Sequence, residues 1–429
     1  MTSKESSAAP LPRVVGVVGA VMMGLGSILG TGVFVSVGIA AGIAGPAVVV
    51  AVALGAVVAF FNGLSSAQLA ANHPVSGGTY EYGYRYLRPW LGFTAGWMFL
   101  SAKSASAATA ALGLAGYVLH AFGHSGNGSQ VAVAWGAIVF ISAVVAGGIR
   151  RSNRINAAIV GFTLLSLCAF ILAGLLSEPA GAHARGGSNS ASDIDGPSLL
   201  HATALMFVAY TGYGRIATLG EEVKEPGRTI PRAIIATLVI TMVLYALVAW
   251  VAVATVGAPR VAEATRSAGA PLATVAGRFA TPGVSWLVAA GAITAMASVL
   301  LNLVLGLSRV LLAMSRRGDM PPGLARLSGD PASPRRAVAA VAFIIGVMAL
   351  PGSVTVAWSF SAFTVLVYYA LTNLAALYLP TEQRLYPRWL AMAGLAACSG
   401  LAFWVEPAIW GAGVVLIFVG LGWHFAAQR

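Results

Sequence analysis

The amino-acid sequence predicts an all-α polytopic membrane protein with twelve transmembrane helices. Three observations predict this fold class: low charge, long apolar runs, and basic residues concentrated in alternate loops. Of the 429 residues, 58% are hydrophobic and only 9% are charged, whereas a soluble globular domain has about 25% charged residues. A soluble protein of this length could not cover its surface with so few polar groups. The 51 glycines also fit a membrane interior, where small residues let helices pack closely.

Apolar windows of about 20 residues indicate membrane-spanning helices. We find twelve such windows, at residues 13–42, 45–70, 89–119, 131–149, 155–177, 199–220, 229–257, 271–313, 337–351, 355–379, 388–404 and 407–426. The eighth is too long for one straight span, so we expect a turn near Pro282 and a helical extension into the cytoplasm. Residues 1–12 are polar and rich in Ser, Ala and Pro, and we interpret them as a short disordered cytoplasmic tail.

Lysine and arginine residues predict how these helices are oriented, because basic residues concentrate in cytoplasmic loops. With the N-terminus inside, only Arg185, Arg260 and Arg266 of the 25 Lys and Arg residues fall in outside segments. The even number of windows then predicts a multi-pass protein of the cell membrane with both termini in the cytoplasm and the lipid bilayer around it. The net charge of +12 therefore indicates topology, and we expect no nucleic-acid partner.

The sequence does not support several other classes of protein. Cys168 and Cys398 lie in separate apolar runs without a CxxC motif, so they indicate small buried residues and not a metal site or a disulfide. The six histidines are isolated or in predicted loops, and no HExxH or GxSxG motif indicates a membrane enzyme. No repeated filter motif indicates a channel. We therefore expect no enzyme activity, no cofactor and no metal.

Glycine-rich interruptions break the first and sixth windows near their middles. The first break lies in Gly26–Gly32 and the second in Tyr210–Arg215. They occupy the first position of two successive groups of five windows, and broken segments at matching places in two halves indicate an inverted-repeat transporter. The expected repeats cover about residues 13–177 and 199–379, followed by two further helices at 388–426.

The two breaks have the chemistry of a zwitterion site. Backbone groups without partners are costly in hydrocarbon, so a break persists where it lines a cavity or meets a ligand. Free N–H groups suit a carboxylate and free carbonyls suit an ammonium. Gly30 and Gly32 would admit close backbone approach, and the Thr31 hydroxyl would add a donor. Alternatively, these glycines are helix-packing positions, as the GxxxG of Gly26 and Gly30 allows.

Several motifs follow one another in the order of a known family. They are GLGSILGTGVF at 24–34, PVSGGTY at 74–80, FVAYTGY at 207–213, EEVKEP at 221–226, TIPRA at 229–233, SR at 308–309 and MSRRGDMP at 314–321. With these motifs the chain resembles the amino acid permeases of the amino acid–polyamine–organocation (APC) superfamily. The resemblance implies the LeuT-like fold, a 5+5 inverted repeat with broken helices 1 and 6, in a single transporter domain over residues 13–426.

The resemblance also implies a substrate site at the two breaks. The first break would bind the substrate carboxylate through backbone and hydroxyl groups, and carbonyls of the second would receive the amino group. The implied residues are Ile28, Gly30, Thr31 and Gly32 for the carboxylate, and Phe207, Val208 and Tyr210 for the amino group. Phe207 matches the aromatic residue that closes the site from outside in relatives, so we expect it to act as a gate.

Two positions depart from the family pattern. Several relatives have a lysine in helix 5 where this chain has Thr163, and many have an acid where it has Gly214. We expect Lys103, near the middle of the third window, to replace the missing lysine, because a lysine at a helix centre usually faces a cavity or a partner. It would carry the coupled proton or hold a fixed positive charge, near first-break carbonyls or hydroxyls such as Ser298. Alternatively, it snorkels to an interface or satisfies loose carbonyls.

The expected function is secondary active transport of neutral L-amino acids, as a symporter or exchanger coupled to a proton or, in its place, to sodium. None of the 13 acidic residues falls at mid-membrane, so a cationic side chain would lack a counter-charge. The alternative is a carrier or exporter of cationic amino acids, polyamines or other organic amines. Glu221 and Glu222 are interpreted either as salt-bridge partners at the cytoplasmic exit of helix 6 or as a solvated cluster.

Overall fold

The computed structural model describes residues 15–74, 77–124, 126–148, 153–177, 195–218, 223–328 and 333–427. Within these ranges the chain is helical and has no strand, only the isolated β-bridges Val15–Val223 and Ser328–Ser333. The predicted tail 1–12, the pair Glu221–Glu222 and residues 75–76 of the second motif lie outside the described residues.

Seventeen α-helices, α1 to α17, follow one another along the described ranges. They are α1 (Val17–Ile28), α2 (Val37–Ala44), α3 (Val48–Asn72), α4 (Thr79–Tyr86), α5 (Pro89–Ala121), α6 (Asn127–Ala146), α7 (Asn153–Leu176), α8 (Gly196–Tyr210), α9 (Gly214–Ala217), α10 (Pro226–Val256), α11 (Ala258–Ala268), α12 (Pro271–Ala276), α13 (Val284–Arg317), α14 (Arg335–Ala349), α15 (Val354–Leu377), α16 (Arg388–Leu401) and α17 (Pro407–Ala427).

Each predicted window contains one long helix or two successive helices. The first holds α1 and α2, the sixth α8 and α9, the eighth α12 and α13, and the others hold α3, α5, α6, α7, α10, α14, α15, α16 and α17. In the described ranges, seven helical stretches are long and apolar enough to cross a membrane, and the first of them, Gly32–Asn72, includes α2 and α3. The all-helical polytopic architecture therefore agrees with the prediction, while the twelve spans and the inverted repeat stay predictions.

The eighth window contains the turn expected near Pro282. α12 ends at Ala276, and α13 begins after Gly283, whose φ of 84° is in the left-handed region that favours glycine. α13 then continues for 34 residues, which is about 51 Å at 1.5 Å per residue. This length exceeds a hydrocarbon layer of about 30 Å, as the expected helical extension requires.

Both glycine-rich interruptions are irregular in the structure. α1 ends at Ile28, Leu29 is extended with ψ 102°, and a π-helical turn (Gly32–Ser36) leads into α2. In the second break, a single 3-10 turn (Thr211–Tyr213) separates α8 from the four-residue α9. The two breaks touch, because Gly212 lies against the Ser27 carbonyl with no room for a side chain.

A second contact joins the two broken helices where the basic loops predict the cytoplasm. Val15, two residues before α1, forms a parallel β-bridge with Val223, which follows the segment after α9. The Lys224 N–H donates to the Val15 carbonyl at 2.9 Å, and both valines are buried. This pairing, the Val15–Val223 bridge, ties the start of α1 to the start of α10.

Candidate functional site

A cavity of about 200 Å³ lies beside the two breaks. Ser27 lines it from the first break, Thr211 and Gly212 from the second, and Lys103 from α5. α13, α15 and residues 77–79, which lead into α4, supply other parts of its wall. Pockets for drug-sized ligands have volumes of about 300–1,000 Å³, so this cavity suits a smaller molecule.

The first break contains a buried hydroxyl without a partner. Thr31 is 3% exposed, and among the described residues its Oγ1 has no hydrogen-bond partner. Most buried polar groups in proteins are paired, so the Thr31 hydroxyl is an exception that leaves hydrogen-bonding capacity unused in the first break. The neighbouring Ile28 carbonyl is already occupied, because the Tyr245 hydroxyl donates to it at 2.8 Å.

The glycines of the first break lie at close contacts between helices. A Cβ atom at Gly30 would be 2.7 Å from Val299 of α13, and one at Gly32 would be 2.8 Å from the Tyr245 hydroxyl and 2.9 Å from Ala209. Ordinary Cβ contacts are not that short. Both glycines thus serve helix packing, as the second interpretation expected, and they also keep side chains out of the break.

Lys103 meets the second break. Its Nζ donates to Thr211 Oγ1 at 2.8 Å, and Thr211 Oγ1 in turn donates to the Val208 carbonyl at 2.8 Å. None of the four ion pairs between described residues includes Lys103. We expected first-break carbonyls or a hydroxyl such as Ser298, whereas the hydrogen bond goes to Thr211. Ser298 is buried on α13, next to the cavity-lining Val299.

The aromatic residues predicted at the second break pack behind the cavity wall. Phe207 is fully buried and packs edge-on against Tyr369, with ring centroids 5.6 Å apart. Tyr369 lines the cavity, and its hydroxyl donates to the Thr211 carbonyl at 3.2 Å. The Tyr210 hydroxyl donates to the Val52 carbonyl of α3 at 3.1 Å. Of the predicted site residues, Lys103 lines the cavity itself and the others surround the breaks.

Tyr117 closes the side of the first break that the basic loops predict to face outside. Its hydroxyl donates to the Phe34 carbonyl at 2.8 Å and accepts from the Leu272 N–H at 3.2 Å. A Cβ at Gly38 of α2 would collide with Thr265 of α11. These contacts join Phe34 and α2, which follow the first break, to α5, α11 and α12.

A buried carboxylate lies just after α13, in a group of residues that we call the Asp319 cluster: Asp319, Tyr80, Tyr84, Trp423 and His424. The Tyr80 and Tyr84 hydroxyls donate to Asp319 Oδ2 at 2.6 and 2.7 Å, and His424 Nδ1 is 3.3 Å from Oδ1. The Trp423 indole N–H donates to the Asp319 carbonyl at 2.9 Å. Burial and the hydrogen bond to Asp319 raise the pKa of Tyr80 and Tyr84, so both phenols stay donors at neutral pH.

Some residues at the site were not predicted from the sequence. Tyr245 and Tyr369 contact the breaks through their hydroxyls, and Asn302 Nδ2 of α13 donates to the Gly26 carbonyl at 3.5 Å. An asparagine within a long apolar window is a signal that could have identified Asn302. The tyrosines carry no comparable signal, because tyrosine is also common at membrane interfaces.

Comparisons with known proteins identify a family to which the sequence is similar. Residues 19–428 match the family model described as amino acid permease. An uncharacterized transporter of Mycobacterium tuberculosis is 40% identical over 96% of this chain and 90% of its own length. The branched-chain amino acid permease BcaP of Bacillus subtilis is 26% identical over 94% of this chain and 87% of its own. The human cationic amino acid transporter 4 is 30% identical over 69% of this chain and 48% of its own.

Proposed function

The chain belongs to the amino acid permease family, within the APC superfamily, and on this premise we propose that it moves neutral L-amino acids across the cell membrane as a secondary active transporter. The observation that carries the proposal is the contact between two broken helices beside a cavity, with the Thr31 hydroxyl unpaired among the described residues. Membrane carriers bind small ligands where broken helices meet.

In the proposed complex, the first break binds the substrate carboxylate and the second binds the ammonium. The carboxylate accepts from the Thr31 hydroxyl and from the backbone around Gly30 and Gly32. Thr211 already bonds the Val208 carbonyl, so binding of the ammonium there exchanges this internal hydrogen bond for a bond to the substrate. In the first break, the Tyr245 hydroxyl that donates to the Ile28 carbonyl is a donor that could turn to the carboxylate. That exchange gives the breaks two alternative states.

Carbonyls of the second break, at Phe207, Val208 and Tyr210, receive the ammonium in this proposal. Phe207 acts as the gate, and its edge-on contact with Tyr369 supports this role, since the movement of either ring would change access to the cavity. Tyr210 is held to α3 through the Val52 carbonyl, so its backbone is well placed to act as a fixed part of the site.

The proposal includes twelve spans, the LeuT-like inverted repeat and both termini in the cytoplasm. On that topology, the cavity wall at residues 77–79 belongs to a cytoplasmic segment, and the Tyr117 contacts belong to the outside. The conformation is then open to the cytoplasm, and alternating access requires the Tyr117 contacts to break as the inner cavity closes.

The charge of the cavity wall supports neutral substrates. Its described residues include Lys103, Arg215 and Arg309 and no Asp or Glu. Within the described wall, a cationic side chain would meet charges of its own sign and no carboxylate. The similarity to a branched-chain amino acid permease favours the same substrate class. The similarity to a cationic amino acid transporter favours a second candidate, a carrier or exporter of cationic amino acids, polyamines or other organic amines.

We assign ion coupling to Lys103, with Ser298 on the adjacent α13. A lysine bonded to the second break lies where a change of its charge would alter the substrate site. It either carries the coupled proton or holds a fixed positive charge where relatives use an ion. Uptake into proteoliposomes under an imposed pH gradient, with a sodium gradient as the comparison, separates proton coupling from sodium coupling.

Thermal stabilisation of the detergent-solubilised protein tests the substrate class. We expect leucine, valine and alanine to raise the unfolding temperature, because binding to the folded state alone stabilises it. Their amides and methyl esters lack the carboxylate and should have little effect. Stabilisation by arginine or polyamines but not by leucine would favour the second candidate, and equal stabilisation by acids and amides would exclude the zwitterion site.

A further inference from the structure

We infer that the Lys103 ammonium sets the charge selectivity of this carrier by excluding amino acids with cationic side chains. The inference rests on the proposed function and takes the second of the two roles given to Lys103, a fixed positive charge. The charge of the whole cavity wall favours neutral substrates, and we assign this preference to Lys103.

The Lys103 ammonium has few partners in the described structure. A lysine ammonium has three N–H donors, and in the described structure Lys103 uses one of them, toward Thr211. No carboxylate of a described residue lies within ion-pair distance of it. Lys103 is partly exposed and lines the cavity, so its charge and its remaining donors act on whatever enters.

The Lys103 charge lies close to the proposed binding site of the substrate ammonium. The Lys103 Nζ, the Thr211 hydroxyl and the Val208 carbonyl form a chain of two hydrogen bonds of 2.8 Å each. The Val208 carbonyl is one of the groups proposed to receive the substrate ammonium. The fixed cation is therefore two hydrogen bonds from the Val208 carbonyl, and three from an amino group bound to that carbonyl.

Neutral and cationic amino acids differ in the net charge that they bring into the cavity. A neutral amino acid enters with a carboxylate that compensates its own ammonium, so its net charge is zero. Lysine or arginine brings a second cation, and within the described wall it would meet the charges of Lys103 and Arg309 but no acid. Like charges in a partly desolvated site repel strongly, so the cationic side chain carries a penalty that leucine does not.

The test compares Lys103→Met with Lys103→Arg. Methionine removes the charge and keeps a long flexible chain, whereas arginine keeps the charge. The measured quantity is the ratio of the affinities for lysine and leucine, from ligand-induced thermal stabilisation and from competition with radioactive leucine. We expect Lys103→Met to shift the ratio toward lysine by about tenfold or more, because it removes a charge repulsion in a partly desolvated site. Lys103→Arg should keep the wild-type ratio.

Two outcomes would overturn the inference. One is an unchanged lysine-to-leucine ratio in Lys103→Met. The other is loss of binding for every amino acid in Lys103→Met while Lys103→Arg still binds, because the charge would then anchor the substrate carboxylate and not exclude a cation. The proposed function fails separately: in that case the wild-type protein itself binds no amino acid.

Discussion

Lys103 and Asp319 carry opposite charges and differ in burial and in the number of their partners, since Asp319 is buried and Lys103 is partly exposed. The Asp319 carboxylate accepts from two tyrosine hydroxyls and lies beside His424, whereas Lys103 has one hydrogen bond, to Thr211, and no ion pair within the described chain. Removing a charge that has several hydrogen-bonding partners leaves those partners unpaired and lowers the free energy of unfolding. A charge with few partners can still bond to a ligand. We therefore expect the Asp319 cluster to stabilise the fold and the surroundings of Lys103 to take part in ligand binding.

The two regions also differ in what they join. The Asp319 cluster connects the end of α13 to α4 and α17, and Arg317 adds an ion pair with Glu81 at 2.7 Å while it covers the Tyr84 ring. Lys103 connects α5 to the irregular turn of the second break. We therefore expect mutations at Asp319 to reduce stability, and mutations around Lys103 and the breaks to change ligand binding.

The largest expected effect on stability is that of Asp319→Leu. The change removes the carboxylate that accepts from the Tyr80 and Tyr84 hydroxyls, and each buried donor left without its acceptor costs about 1–3 kcal/mol. The free energy of unfolding in detergent, from thermal or denaturant curves, measures it. Glu263→Ala is the matched control, because the side chains of Glu263 and Arg266 are 66% and 70% exposed and such pairs contribute about 0–1 kcal/mol. Equal losses in the two variants would contradict the contrast.

Gly32→Val should remove amino-acid binding, by placing a branched side chain against Tyr245 and Ala209 in the first break. We expect no ligand-induced thermal shift with leucine, even in protein that still inserts and elutes as a single species. Gly161→Val on α7 is the control, because a Cβ at Gly161 meets no atom within 4 Å. Near-normal leucine affinity in Gly32→Val would show that the first break does not bind the substrate.

Tyr245→Phe should have an intermediate effect. It removes the hydroxyl that donates to the Ile28 carbonyl at 2.8 Å and leaves that carbonyl without this donor, at a cost of about 1–3 kcal/mol. The same change at Tyr378, which is 66% exposed, should be close to neutral. If the two variants have the same unfolding temperature, the Tyr245 hydroxyl does not stabilise the first break.

Lys103→Met should have the smallest effect on stability. Replacing a sparsely paired charge inside a helix bundle with an apolar chain removes a desolvation penalty, so we expect the unfolding temperature to stay the same or to rise. The thermal curve without ligand is the measurement. A fall in the unfolding temperature as large as that of Asp319→Leu would mean that Lys103, like the Asp319 cluster, stabilises the fold.

The sequence predicts the features that depend on neighbouring residues. Long apolar runs locate the helices, and the glycines around Thr31 and at Gly212 locate the two breaks, because both signals are local in the chain. The turn near Pro282 is likewise a property of a short segment, and the structure confirms it.

The sequence does not predict partners that are distant in the chain. Thr211 is 108 positions from Lys103, and Asp319 is 239 positions from Tyr80. Such contacts depend on how helices are arranged around one another, and no periodicity in one helix encodes them. The position of Lys103 inside a predicted helix was visible, but its contact with the second break and not with the first became clear only in three dimensions.

The Val15–Val223 bridge has a mechanical consequence for the two broken helices. It fastens the start of α1 to the chain beyond α9, and Gly212 presses the same two segments together at the breaks. The start of α1 therefore cannot move away from the start of α10 without breaking this pairing, and the two breaks cannot separate without opening the contact of Gly212 with Ser27. A force applied to the chain at Val15 acts directly on the segment that begins α10.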